Sequence, residues 1–147
     1  MKIAVIGIGN ILLGDEGVGV RIVEELRKRD LPENVEVHDG ATSGIALLNF
    51  LVDKDKVIIV DAVKGGEEPG TVYQFSINEA LERSEMVSLH DIDFVMAYQT
   101  SKEIMELTDN ITVIGIEPKV IDNGLELSKE VEKAIPHVIE LVHLNLT

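Results

Sequence analysis

The chain has 147 residues, 45% hydrophobic and 3% aromatic, which favours one folded domain with a core of Val, Ile, Leu and Ala. Acidic residues outnumber basic ones 27 to 13, a formal net charge of −14, so nucleic acid and an anionic membrane are disfavoured as partners and a protein presenting Lys or Arg is favoured. Cysteine is absent, which excludes disulfides, thiolate zinc sites, iron–sulfur clusters and a cysteine nucleophile.

The opening run Met1–Gly7 is too short and too weakly basic for a signal peptide, and no segment has the length of a membrane span. A cytoplasmic protein is expected, monomeric by default. In chain order, Ile3–Ile6 reads as a buried β-branched strand, and Val18–Arg29 as a helix with Val20, Val23 and Leu26 on one face. Val35–Val37 is a weaker strand, Ile45–Val52 a helix and Val57–Val60 a buried strand. Pro69-Gly70 marks a turn before Thr71–Ser76, whose alternation suits an antiparallel edge strand. Phe94–Leu107 reads as a helix and Ile111–Ile116 as a strand. Ser128 opens a last helix carrying Val131, Ile135, Val138, Ile139 and Val142 at helical spacing. This order predicts a three-layer α/β fold: a mostly parallel twisted sheet of about five strands, helices on both faces, and one antiparallel edge.

In such a sheet, function gathers beyond the carboxyl ends of the strands, where chain order reverses. Gly7-Ile8-Gly9-Asn10 through Gly14-Asp15-Glu16-Gly17 follows strand one, Asp39 closes strand two and Asp61 closes strand three. A dinucleotide fingerprint fails because Leu12 stands where the third glycine belongs. Asp15 and Glu16 would also repel a pyrophosphate, and no Walker lysine follows. A cation is the natural ligand. If strands one and three are neighbours, Glu16 and Asp61 face each other across the crevice. Ser88-Leu89-His90-Asp91 has the spacing of a capping box and puts His90 in the first turn of a helix, where the macrodipole favours a neutral imidazole. Two carboxylates and one imidazole suit a divalent transition metal with open positions, able to polarise water. The plainer alternatives are helix capping by Asp15 or Glu16, a turn role for Asp61, and capping of the next helix by Thr42 and Ser43. His38, His137 and His143 read as incidental.

These motifs resemble those of the hydrogenase maturation proteases. Gly9–Gly19 is similar to that family's glycine-rich opening, and Asp39-Gly40-Ala41-Thr42-Ser43-Gly44 to its second motif, with Ala41 where glycine is usual. Asp61-Ala62 with Pro69-Gly70-Thr71, then Ser88-Leu89-His90, then Gly115-Ile116-Glu117-Pro118 with Leu127-Ser128 complete the series in family order. The resemblance covers almost the whole chain and implies a single domain over 1–147. It implies an endopeptidase that removes the C-terminal extension of a nickel–iron hydrogenase large-subunit precursor after nickel insertion. It further implies metal contacts and catalysis by Glu16, Asp61 and His90, with Asp39 and Thr42 in substrate recognition. Nickel would arrive transiently with the substrate, and no permanent cofactor is expected. A nickel-sensing chaperone without proteolysis and a nucleotide-binding module are the alternatives.

Overall fold

The computed structural model describes residues 1–42, 46–82 and 89–147, with side chains described for these except 80–82 and 89–93. Ser43, Gly44, Ile45 and Ser88, singled out above, lie outside the described residues. Five strands, β1 (Ile3–Ile8), β2 (Val35–Ala41), β3 (Lys56–Ala62), β4 (Val72–Ser76) and β5 (Ile111–Ile116), form one sheet in the order β2-β1-β3-β5-β4. Three neighbouring pairs are parallel, and only the edge strand β4 runs antiparallel, against β5. Each residue of β1 is buried, as are Val57–Ala62 of β3. The continuous Val/Ile runs therefore cover both faces of a central sheet.

Each face has its own helical layer. Helices α1 (Val18–Arg27) and α5 (Lys129–Leu144) pack Ile22, Val23, Leu26, Val138 and Val142 onto Ile3, Val5, Ile58 and Val60. On the other face, α2 (Leu48–Leu51), α3 (Ile77–Glu82) and α4 (Leu89–Ser101) contribute Leu48, Leu51, Ile77, Phe94 and Tyr98 against Ala4, Ile6, Val57 and Ile59. The split follows the period-2 alternation of the strands. Ser128 caps α5 by accepting the Val131 N–H at 3.3 Å.

Two helices depart from expectation. The predicted Ile45–Val52 helix is a single turn, α2, because Val52 is extended and Asp53 turns left-handed at φ 64°. The predicted Phe94–Leu107 helix is displaced towards the N-terminus as α4. Beyond Ser101 the backbone continues as turns to Glu106, at φ 52°, while Leu107 still buries itself in the core. Helix α3 was not anticipated. Its Ser76-Ile77-Asn78-Glu79 start places the Glu79 N–H 3.2 Å from the Ser76 hydroxyl.

The loops at the carboxyl edge are tied down by Asp15, which lies in a 3-10 turn, Gly14–Gly17, between β1 and α1. Its carboxylate is 0% exposed and does not cap a helix. It accepts N–H groups from Lys119 (2.8 Å), Val120 (2.9 Å) and Ser128 (2.7 Å), all in the segment between β5 and α5. The Gly14 and Asp15 N–H groups bond back to Gly124 and Val120 carbonyls at 2.9 Å each. Burial alone would raise the Asp15 pKa. The donors outweigh it and hold the carboxyl below its ordinary value.

At the end of β2 the register slips by one residue, so Gly7 pairs with Asp39 and Ile8 with Ala41. Ala41 there adopts φ 49°, a left-handed conformation that suits glycine. The position where the resembled family carries glycine is thus one where this chain accepts strain.

Asp15→Asn, which removes the charge at nearly constant shape, is expected to lower unfolding free energy by about 2 kcal/mol in urea titrations. Because the folded carboxyl is depressed, its contribution is complete above the unfolded pKa and lost as pH falls below about 4. The variant should lose that part of the acid dependence. Ala41→Gly should raise stability by about 0.5–1 kcal/mol, the relief of left-handed strain less the added backbone entropy of glycine. A lower thermal midpoint for that variant would contradict the strain reading.

Candidate functional site

Chain order reverses between β1 and β3: from β1 the chain goes outward to β2, then returns to β3 on the opposite side. The neighbouring strands assumed in the sequence reading are therefore neighbours in the fold. The 3-10 turn bearing Glu16 follows β1 and lies directly against β3. Close packing makes this possible. A Cβ on Gly19 would collide with the Val60 and Ile8 carbonyl oxygens, so the start of α1 sits on the backbone of the sheet. Gly9, at φ 142°, leaves room for the Glu16 carbonyl where a Cβ would stand.

Asp61 is the sixth residue of the seven in β3 and is 1% exposed. Its Oδ1 accepts the Ala62 N–H at 2.8 Å. Val57 and Ile59 project into the α2–α4 layer, and alternation sends the Asp61 side chain to the same face. Glu16 is half-buried.

His90 is the second residue of α4, in its first turn, as the capping-box spacing predicts. Its side chain lies outside those described. At the far end of the helix, the Tyr98 hydroxyl donates to the Thr108 carbonyl (2.7 Å), and the Thr108 hydroxyl to the Asp55 carbonyl (3.0 Å), where β3 begins. These bonds seat the C-terminal part of α4 beside the start of β3, in the layer that also receives Phe94 and Tyr98. Among the described residues no three His, Cys, Asp or Glu side chains gather around a common point for a metal.

Asp39 and Thr42 are exposed at the end of β2. They share an open groove of about 390 Å³ with Gly9, Asn10, Leu12 and Ala41. Asp39 Oδ1 accepts the Ala41 N–H at 2.8 Å, an Asx turn made by an exposed side chain. Thr42 does not cap the next helix, as the plainer alternative held. Helix α2 starts six residues later, with Leu47 at its N-cap and no side-chain cap bond. His38 is structural: it stacks on Phe50 at 4.4 Å between ring centroids and lies 3.1 Å from Glu36.

The sequence reading gave no task to Glu117, which is buried just past β5. Its Oε1 accepts the Gly65 N–H (2.8 Å), the Glu67 N–H (3.1 Å) and the Tyr73 hydroxyl (2.6 Å). That carboxylate shapes the loop leaving Asp61. Burial and the bond to Glu117 push the Tyr73 pKa up to about 12, so the phenol stays a donor. The signal available in the sequence was an acid directly after a buried strand and directly before a proline.

Comparison with known proteins agrees with this geometry. The family model described as hydrogenase maturation protease matches residues 20–144. The hydrogenase 2 maturation protease of Escherichia coli is 34% identical over 145 residues, covering 97% of this chain and 88% of that protein. The hydrogenase expression/formation protein HupD of Rhizobium leguminosarum bv. viciae is 36% identical over 143 residues, covering 95% and 71% respectively. Among solved structures, the hydrogenase maturating endopeptidase HybD from E. coli superposes with a TM-score of 0.91 at 34% identity, covering 99% of this chain and 92% of that one. The sheet order, the reversal between β1 and β3 and these matches along nearly the full chain establish that it belongs to the hydrogenase maturation protease family, and is a peptidase.

Proposed function

We propose that this peptidase removes the C-terminal extension of a nickel–iron hydrogenase large-subunit precursor once nickel has been inserted. In this reading Glu16, Asp61 and His90 meet the precursor's nickel and the bond to be cut. The observation that carries the reading is the position of a buried aspartate, Asp61, at the topological reversal, with the Glu16 turn packed against its strand. Carboxylate and imidazole donors suit a nickel ion carried by the substrate.

The chemistry follows from the same groups. A carboxylate at the rim accepts a proton from water as the water oxygen adds to the scissile carbonyl carbon. The proton then goes to the departing amine as the C–N bond breaks, giving one new carboxylate and one new amino terminus. The chain has no cysteine, which leaves direct attack by water as the simplest route. Asp39 and Thr42, in the groove on the β1–β2 side, would contact the precursor beside its metal. A cytoplasmic setting accords with this substrate, and among the described residues no helix is long and apolar enough to cross a membrane.

Incubating nickel-loaded precursor with the chain and weighing it by mass spectrometry should reveal loss of a C-terminal peptide, and nickel-free precursor should stay intact. Equal cleavage of both would remove nickel from the account. Glu16→Gln, Asp61→Asn and His90→Ala should each slow processing by at least about 10²-fold with unchanged circular dichroism. Normal processing by Asp61→Asn would contradict the assignment of the site.

A further inference from the structure

Beyond the ends of β3 and β5, on the side of the reversal away from Asp39, lies a second open pocket of about 480 Å³. Lys64, Gly66, Glu117, Pro118, Lys119 and Ile121 line it. Two lysines in one pocket are unexpected in a chain with 13 basic and 27 acidic residues. Both stand on fixed backbone. Lys64 lies between Val63, whose N–H bonds to the Ile116 carbonyl at 3.0 Å, and Gly65, whose N–H bonds to Glu117. The Lys119 N–H is held by the buried Asp15 carboxylate at 2.8 Å.

The ammonium groups themselves are available. Both lysines are exposed. Lys64 makes no ion pair among the described residues, and Lys119 meets Glu130 at 3.2 Å in a half-exposed pair that a ligand can displace. Glu117 Oε1 is committed to the Gly65 and Glu67 N–H groups and the Tyr73 hydroxyl. The pocket is also close to the proposed chemistry. Asp61 pairs with Gly115 in the sheet register, and Lys64 and Glu117 lie three and two residues farther along the same two segments.

We infer that the Lys64–Lys119 pocket is the subsite for a carboxylate borne by the peptide on the C-terminal side of the scissile bond, with Pro118 and Ile121 accepting an adjacent aliphatic group. The inference rests on the endopeptidase reading above. It gives the substrate a direction across the rim. The precursor body lies over the Asp39 groove, the bond to be cut lies at Glu16 and Asp61, and the departing tail lies over the lysines. The carboxylate is supplied either by an acidic side chain of the tail or by the chain terminus. The lysines act by charge and bind ground state and transition state alike, so their loss acts on KM and not on kcat.

The test uses the full chain and nickel-loaded precursor, with Lys64→Gln/Lys119→Gln compared to the unaltered protein. The double variant should raise KM about tenfold at nearly constant kcat. Added salt should raise KM of the unaltered protein and leave that of the variant flat. A precursor with tail acids changed to amides, and one ending in a C-terminal amide, separate the two sources. Whichever carries the contact should show the KM increase with the unaltered protein and none beyond it with the variant. Cleavage by the unaltered protein, with the same KM and salt dependence in the double variant, overturns the subsite and leaves the endopeptidase reading standing. Absence of cleavage by the unaltered protein overturns both.

Discussion

A carboxylate removed from solvent, that of Asp15, holds the rim of this molecule together. It gathers three backbone N–H groups from a segment 104 to 113 residues farther along the chain. An unpaired charge at that depth would cost several kcal/mol; three convergent donors make the ionised form the stable one. The consequence is geometric. The loop after β1 and the loop after β5 become one unit, reinforced by the Leu13–Gly124 bridge. Glu16 is the next residue in the same turn, so its backbone inherits that rigidity. Of two adjacent acids, the first fixes the platform and the second is half-buried in the same turn.

Glu117 performs the matching task on the other side. Its three donors hold the loop that leaves β3, and Asp61 sits one residue before that strand ends. Two buried carboxylates, Asp15 and Glu117, thus brace the loops on either side of the Glu16 turn and the end of β3. The acidic excess of the chain is partly explained here, since the rim is built from acids with distinct partners. Lys64 and Lys119 stand among these acids on the side of the rim between Asp61 and α5.

Much of the fold was legible because burial on both faces forces long β-branched runs. Ile3–Ile6, Val57–Val60 and Ile111–Ile116 announced central strands, and the spacing of Val20, Val23 and Leu26 announced α1. The edge strand β4 was readable from Pro69-Gly70 and the alternation after it. What the sequence hid was set by tertiary contact. Nothing local separates the fates of Asp15 and Glu16, which differ in what approaches them from over a hundred residues away. The end of α4 was misplaced because Leu107 is apolar and buried yet belongs to the turns after the helix. Helix α3 did carry a readable start, Ser76 with Glu79 three residues on. The strain at Ala41 is invisible in composition and emerges only from the register slip between β1 and β2. Of the site, the placement of Glu16 and Asp61 at neighbouring strand ends was anticipated from topology, whereas Glu117 and the paired lysines required the loops to be in place.

The central claim is that the rim donors of this peptidase meet the nickel carried by its substrate. X-ray absorption at the nickel edge, on nickel-loaded precursor alone and on its rapidly frozen complex with the enzyme, addresses that contact without relying on turnover. The account predicts added oxygen and nitrogen scatterers in the complex, with the oxygen contribution reduced when Asp61 is replaced by Asn. A nickel shell identical with and without the enzyme would contradict it.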